Sequence, residues 1–459
     1  MNEPIFENVD IFLPGQGDTL TQAPAYHWER TEERSEISAK EGLLERAWTA
    51  DVPKDSADSV LHTAGLSANL YRSTRDPETV LVSIIGSNSE QRKKLARSTF
   101  IFDHTYLSHH DYDGFGLHLP GLIVLRSGSA VAVCQRRHGS MADQGHEADV
   151  LVSHSEDHGK TWSRQEVIYA EKGQFTFLGA IVEDRSSGTI FVTGWNMPAG
   201  IVWDLGFFST YAAQGGGFWV IQSTDDGLTW SEARHVDPTP NPDGWVGWPN
   251  NSAHGIQLSD GSNGGRLVIP GFLYKEGEPG EVPGVRGGLL YSDDHGRTWT
   301  VGAVLPEGSD EVSLVETSDG EIYVSYRKNT RKTEGRTFAR SRDGGESFYE
   351  LGEHGELSSL AVHVGLARYV SSTNEDSEFL LFSHCVRSGG ADMTIYASRD
   401  SGRTWPVSKL VDQRPCRYSD LAVTADGTVL CMYTVGEIED REKITVARFN
   451  QEWLFAQPG

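Results

Sequence analysis

The chain has 459 residues, a formal net charge of −25, 50 glycines, 12 tryptophans and four cysteines. Its long-range negative field excludes nucleic acid and anionic membranes as principal partners, because both are polyanions. Cys134, Cys385, Cys416 and Cys431 have neither metal-ligand spacing nor the density of a disulfide framework, and no segment has the length and hydropathy of a membrane span.

The start, Met-Asn-Glu-Pro-Ile-Phe-Glu, lacks the basic and apolar regions of an export signal, so the chain reads as soluble, with the cytoplasm favoured over secretion. Residues 1–75 are polar and poor in strand patterns and are expected to form an N-terminal extension or cap, with one short helix over Ile37 to Thr49. Residues 76–459 are expected to form the main body. Its first strand is Thr79 to Ile85 (TVLVSII), and a second is predicted over Arg97 to Phe102. His104, His109, His110, Asp111 and Asp113 crowd one short stretch without regular ligand spacing; it reads as a polar loop, and no metal is expected. Strand-like runs such as Gly121 to Val133 and Arg266 to Phe272 then follow.

The phrase Ser-x-Asp-x-Gly-x-Thr-Trp punctuates this region. It occurs intact from Ser155, Ser223, Ser292 and Ser398, and degraded from Ser341 to Phe348 (SRDGGESF). Each element suits a tight hairpin turn: Ser and Asp can bond turn amides, Gly accepts a left-handed backbone, and Trp can pack between neighbouring units. The starts lie 68, 69, 49 and 57 residues apart, a spacing that suits one four-stranded propeller blade per copy. The expected fold is all-β, a six-bladed propeller with five boxed blades and a boxless last blade closed by both chain ends.

The five phrases resemble the Asp-boxes of the sialidase superfamily, and the segments between them resemble the retaining exo-sialidases over about 340 residues. Asp310 to Arg327 (DEVSLVETSDGEIYVSYR) is similar to the family segment in which a glutamate opens a strand pair and an arginine closes it. That resemblance makes Glu311 the general base and Arg327 one of three arginines clamping the substrate carboxylate. Leu117 to Leu122, followed by Gln135-Arg136-Arg137, is similar to the family's first motif. It implies Asp143 as loop acid/base, with Asp149 as a rival, and Arg137 as a glycone contact, with Arg136 as its competitor. Leu380 to Arg387 (LLFSHCVR), then Tyr418-Ser419-Asp420-Leu421, resembles the family's last arginine and its nucleophile turn, implying Arg387 as a second clamp arginine and Tyr418 as nucleophile.

These residue types fit one chemistry. A carboxylate on the anomeric carbon repels an anionic nucleophile, so a neutral phenol with a carboxylate base suits a 2-keto sugar acid. Arginine's planar fork suits the carboxylate. Trp245 and Trp248 fit either a sugar-stacking rim or packing between blades.

The chain departs from the family at linked positions. His118-Leu119-Pro120 stands where the family has Arg-Ile-Pro, Thr434 follows Tyr433 where a glutamate holds that arginine, and Gln135 replaces the glutamate of a Glu-x-Arg phrase. Loss of a cation together with its acidic partner indicates a rebuilt pocket, because an orphaned buried charge is costly. The resemblance therefore implies a retaining exo-glycosidase releasing a terminal acidic sugar, a sialic acid or a related 2-keto-3-deoxy sugar acid, from a glycan, with no cofactor. A propeller lyase using His118 and Tyr418 on a uronate, and a non-catalytic glycan-binding propeller, are the alternatives. Oligomeric state is not legible.

Overall fold

A computed structural model describes residues 6–12, 28–30, 67–73, 80–85, 115–138, 147–199, 217–249, 254–259, 261, 263–275, 285–328, 335–358, 360, 362–370, 378–387, 390–436 and 440–456. The chain forms two compact units, one of residues 1–17, 116–137 and 144–459 and a smaller one of residues 18–115 and 138–143. These boundaries differ from the expected division at residue 75. The described part of the smaller unit is a three-stranded antiparallel sheet of Trp28–Arg30, Ser67–Ser73 and Val80–Ile85. The expected helix over Ile37 to Thr49, the strand over Arg97 to Phe102 and the histidine-rich loop lie outside the described residues.

In the larger unit the strand pairings fall into successive antiparallel groups, the arrangement of a β-propeller. Phe115–Val124, Ala130–His138, Ala148–Ser155 and Glu166–Ala170 pair in order. Gln174–Asp184, Thr189–Pro198, Gly217–Ser223 and Arg234–Val236 follow. Trp245–Pro249 and Ile256–Gln257 share one edge of Leu267–Lys275, which continues to Val285–Ser292 and Thr300–Val304. Ser309–Glu316, Ile322–Lys328, Arg336–Ser341 and Glu350–His354 come next. Gly365–Tyr369, Phe379–Arg387, Ala391–Ser398 and the first half of Val407–Val423 form the fifth group. The second half of Val407–Val423 starts the sixth, with Val429–Val435, Lys443–Phe449 and, from the other chain end, Phe6–Phe12.

The ends are fastened by packing as well as by the ladder. Phe6 stacks on Trp453 of the short helix Gln451–Phe455 at 4.7 Å between centroids, and Arg448 forms an ion pair with Glu7. Asn450 caps that helix, its side chain accepting from the Trp453 amide at 3.0 Å. No helix among the described residues is long and apolar enough to cross a membrane.

The recurring phrase builds the same turn each time. The hydroxyls of Ser155, Ser223, Ser292, Ser341 and Ser398 each accept from the backbone N–H of the box glycine at 2.9 Å, and each serine donates to the box aspartate. In the four intact boxes the residue before the glycine is also left-handed, at φ of 59° for His158, 57° for Asp226, 60° for His295 and 56° for Ser401. Two consecutive left-handed residues explain why the second must be glycine in this crowded turn. The box tryptophans divide: Trp299 and Trp405 are buried in hydrophobic clusters, while Trp162 and Trp230 donate their indole N–H to the box glycine carbonyl.

Gly296 and Gly320 separate backbone strain from packing, since both have left-handed φ (75° and 77°) but only a Cβ on Gly296 meets another group, the Phe191 ring at 2.7 Å. Gly320→Ala is expected to cost about 1 kcal/mol and Gly296→Ala about 1–3 kcal/mol more. Urea unfolding of both variants measures the gap, and equal midpoints would contradict the role assigned to the box glycine.

Candidate active site

Glu311 and Tyr418 lie at the same end of two inner strands, and the phenol of Tyr418 donates a short hydrogen bond to Glu311 Oε1. Both are buried, at 2 % and 7 % exposure. Arg327 lies beside them, its Nε 3.2 Å from Glu311 Oε2 and its Nη2 donating to Asp310 Oδ2 at 2.7 Å.

Two β-bulges make this cluster possible. In the fourth group the register passes from Ser309↔Lys328 to Val312↔Tyr326, so Asp310 and Glu311 occupy a segment with one residue more than its partner. In the sixth it passes from Cys416↔Val435 to Ser419↔Tyr433, leaving Arg417 and Tyr418 in the same situation. Regular strand alternation would send adjacent side chains to opposite faces; a bulge re-aims them. Hence Asp310 and Glu311 both reach Arg327. Thr434 accepts from the Tyr418 amide at 3.2 Å and so braces the bulge.

His118 faces Tyr418, with ring centroids 4.2 Å apart, and Leu119 beside it has a left-handed φ of 55°, an outlier for a branched residue. Burial, and then the charges of Arg441, Arg137, Arg417 and Arg327, hold the His118 pKa well below its ordinary value. His118 is therefore a neutral imidazole, and its Nδ1 has no hydrogen-bond partner among the described residues. It supplies no positive charge at this position.

Burial also raises Glu311, to about 7, outweighing the opposing charge of Arg327. For Arg327 the balance is reversed: burial opposes its charge, but Glu311, Tyr418 and Asp310 raise its pKa. Beneath the pair, Arg336 donates to Ser325 Oγ at 3.0 Å and to the Val362 carbonyl at 2.8 Å, and His363 sits 5.9 Å from the Tyr418 ring.

The two candidates of the first motif separate by strand alternation. Arg136 forms a buried two-point ion pair with Asp149, at 2.9 and 2.5 Å, which commits both. Arg137 donates to Gln135 Oε1 at 2.8 Å, lies over the Phe175 ring and is among the cations acting on His118. Trp248 stacks on Tyr274 of its own group at 4.7 Å and on Trp195 of the preceding group at 6.1 Å, which is packing within and between groups rather than an open sugar platform. Asp143 lies outside the described residues.

Arg387 does not join the cluster. It sits at the end of its strand, 55 % exposed, with Nε donating to Asp392 Oδ2 at 2.9 Å and Nη2 to the Gln413 carbonyl at 3.0 Å. The hairpin it ends turns it toward Asp392. Arg417 and Arg441, which the motifs did not mark, are near enough to His118 for their charges to act on it. The adjacency of Arg417 to Tyr418 is the available sequence signal, but strand alternation places neighbours on opposite faces and only the bulge cancels that rule. A separate cavity, lined in part by Glu183, Arg185, His254, Gln257 and Glu316, opens at the other ends of the inner strands and contains none of the expected site residues.

This site belongs to a β-propeller of a recognisable class. Residues 137–431 match the family described as a BNR repeat-like domain, and the chain belongs to this family within the sialidase superfamily. The chain is 31% identical over 351 residues to a sialidase of Micromonospora viridifaciens, covering 73% of this chain and 52% of the relative. It is 24% identical over 363 residues to a sialidase of Bacteroides fragilis (strain YCH46), covering 75% and 62%. Among solved structures, Hadza microbial sialidase Hz136 aligns with a TM-score of 0.62 at 22% identity, over 85% of this chain and 74% of that one. The chain thus spans about half to three-fifths of the length of these curated relatives.

The raised pKa of Glu311 gives a stability signature. Because the folded value, about 7, exceeds the ordinary 4.5, the protonated acid stabilises the fold below pH 4.5 and that contribution is lost as pH rises through 7. The stability of the wild type relative to Glu311→Gln should fall by about 3 kcal/mol between pH 4.5 and 8, read by chemical denaturation at each pH. A pH-independent difference would contradict the assignment.

Proposed function

We propose that this protein is a retaining exo-glycosidase that releases a terminal acidic sugar, a sialic acid or a related 2-keto-3-deoxy sugar acid, from a glycan. The observation that carries this reading is the buried Tyr418–Glu311 hydrogen bond, with the Glu311 carboxyl raised to about 7. A base of this strength is matched to proton transfer near neutrality.

In the first step the Tyr418 oxygen attacks the anomeric carbon, Glu311 takes the phenolic proton, and the bond to the aglycone oxygen breaks. Asp143 is assigned the proton delivered to that oxygen. In the second step a water deprotonated by Asp143 attacks the anomeric carbon, Tyr418 leaves, and Glu311 returns its proton. Two displacements at one carbon retain its configuration. Arg327 supports the first step by favouring negative charge shared between Glu311 and Tyr418, and Arg137 lines the glycone side. The relatives named as sialidases support the substrate class.

The lyase alternative needs His118 as a base. Burial and four neighbouring arginines weaken that base, which counts against it.

Wild-type protein incubated with 4-methylumbelliferyl glycosides of N-acetylneuraminic acid, its deaminated analogue and 3-deoxy-manno-octulosonic acid is expected to release fluorophore and an intact sugar acid. Glu311→Gln should lower kcat by about 10²–10⁴-fold, and Tyr418→Phe by at least as much. An ultraviolet-absorbing unsaturated product would assign a lyase. Binding of these glycosides without release of either product would leave a glycan-binding propeller.

A further inference from the structure

Arg336 is a buried cation with no acid paired to it. It is 2% exposed, and among the described residues no carboxylate lies at ion-pair distance from its guanidinium. Arg136, Arg266, Arg340 and Arg448 are buried to a similar depth, and each has an acid partner. Arg336 bonds only to neutral oxygens, Ser325 Oγ at 3.0 Å and the carbonyls of Val362 and Leu360 at 2.8 and 3.5 Å. Its Nη2 has no hydrogen-bond partner among the described residues.

The titratable groups around it leave that charge unmatched. His384 meets the same Leu360 carbonyl, and His363 bonds Ser313 at 3.1 Å. Burial, and then the charge of Arg336, lower both histidines to about 3, so both are neutral. Burial keeps the Tyr323 phenol protonated. Arg327 is a second cation, and Tyr418 is bonded to Glu311, which leaves Glu311 as the carboxylate whose charge acts on Arg336. The strand ladder sets the spacing. Ser325 stands opposite Ser313, two residues after Glu311 and two before Arg327. Arg336, held on Ser325, therefore lies about 7 Å along this strand pair from the Glu311–Arg327 contact.

We propose that Arg336 is a positioning residue for the reaction, its unpaired buried charge holding Glu311 in the ionised form that accepts the Tyr418 proton. This inference rests on the glycosidase reading and identifies what sets the strength of its base. A unit charge at that distance in a buried site moves a carboxyl's titration by about one pH unit. Arg327 acts in the same direction, but it is 22% exposed and shares its charge with Asp310. Without Arg336, Glu311 would be the stronger base yet already protonated in most molecules at neutrality, because burial raises it and Asp310 adds to that rise.

The test follows kcat/KM of the 4-methylumbelliferyl glycosides above against pH for the wild type and for Arg336→Met, Arg336→Gln and Arg336→Lys. Arg336→Met should move the acid limb upward by about one pH unit, lowering kcat/KM by about 5-fold at pH 7 and recovering the wild-type value by about pH 9, with little change in KM. Arg336→Gln keeps hydrogen-bonding capacity without charge and should match Arg336→Met, whereas Arg336→Lys should keep the wild-type limb. Thermal midpoints identify a variant that fails to fold, and either neutral variant alone carries the comparison. A second readout needs no turnover. The stability of each variant relative to the same variant carrying Glu311→Gln, measured by chemical denaturation, should fall with pH over a window extending about one pH unit higher in the neutral variants than in the wild type. A pH-independent loss of activity, rescue by Arg336→Gln, or an unmoved denaturation window overturns the proposal while the glycosidase reading stands. A wild type that cleaves none of these glycosides overturns that reading instead, and the denaturation series still decides whether Arg336 sets the Glu311 carboxyl.

Discussion

A carboxylic acid buried against a phenol and a guanidinium is the constraint around which the rest of the mouth is arranged. Glu311, Tyr418 and Arg327 come from two inner strands and a hairpin partner, so their meeting requires the ring of strands to bring distant segments together and hold them there. Burial alone would neutralise Glu311, and the arginine alone would lock it as an anion. Their opposition leaves the carboxyl able to exchange a proton near neutrality.

Electrostatics in this molecule act locally against the global charge. A chain with a formal charge of −25 repels anions at long range, yet its mouth gathers Arg137, Arg327, Arg417 and Arg441 around a histidine that burial and their charges keep neutral. Asp310 and Asp440 temper that cluster. The low-dielectric surroundings that make such a cluster costly also make an anionic ligand effective at relieving it. Thr434 accepts from the Tyr418 amide and braces the backbone there.

Much of this was legible in the sequence, for physical reasons that differ by residue. The Ser-Asp-Gly turns were readable because their bonds are local: each serine reaches an amide only four residues away. Glu311, Arg327 and Tyr418 were marked by long matching segments. Arg417 was hidden because strand periodicity assigns it to the face opposite Tyr418, and only the extra residue between Cys416 and Ser419 cancels that rule. Arg387 stands at a hairpin end, where the turn rather than the strand period sets side-chain direction, and it pairs with Asp392. Phe6–Phe12, placed by composition in an N-terminal extension, pairs instead with Lys443–Phe449, a contact across nearly the whole chain that local patterning does not encode.

The most direct measurement is to trap the covalent intermediate. Wild-type protein incubated with a 2,3-difluoro derivative of the sugar acid it cleaves, then digested and analysed by mass spectrometry, should carry the fluorinated sugar on the peptide containing Tyr418, attached through the phenolic oxygen. Labelling at another side chain, or turnover of the natural glycoside with inversion and no labelled peptide, would contradict the assignment of Tyr418 as nucleophile and Glu311 as its base.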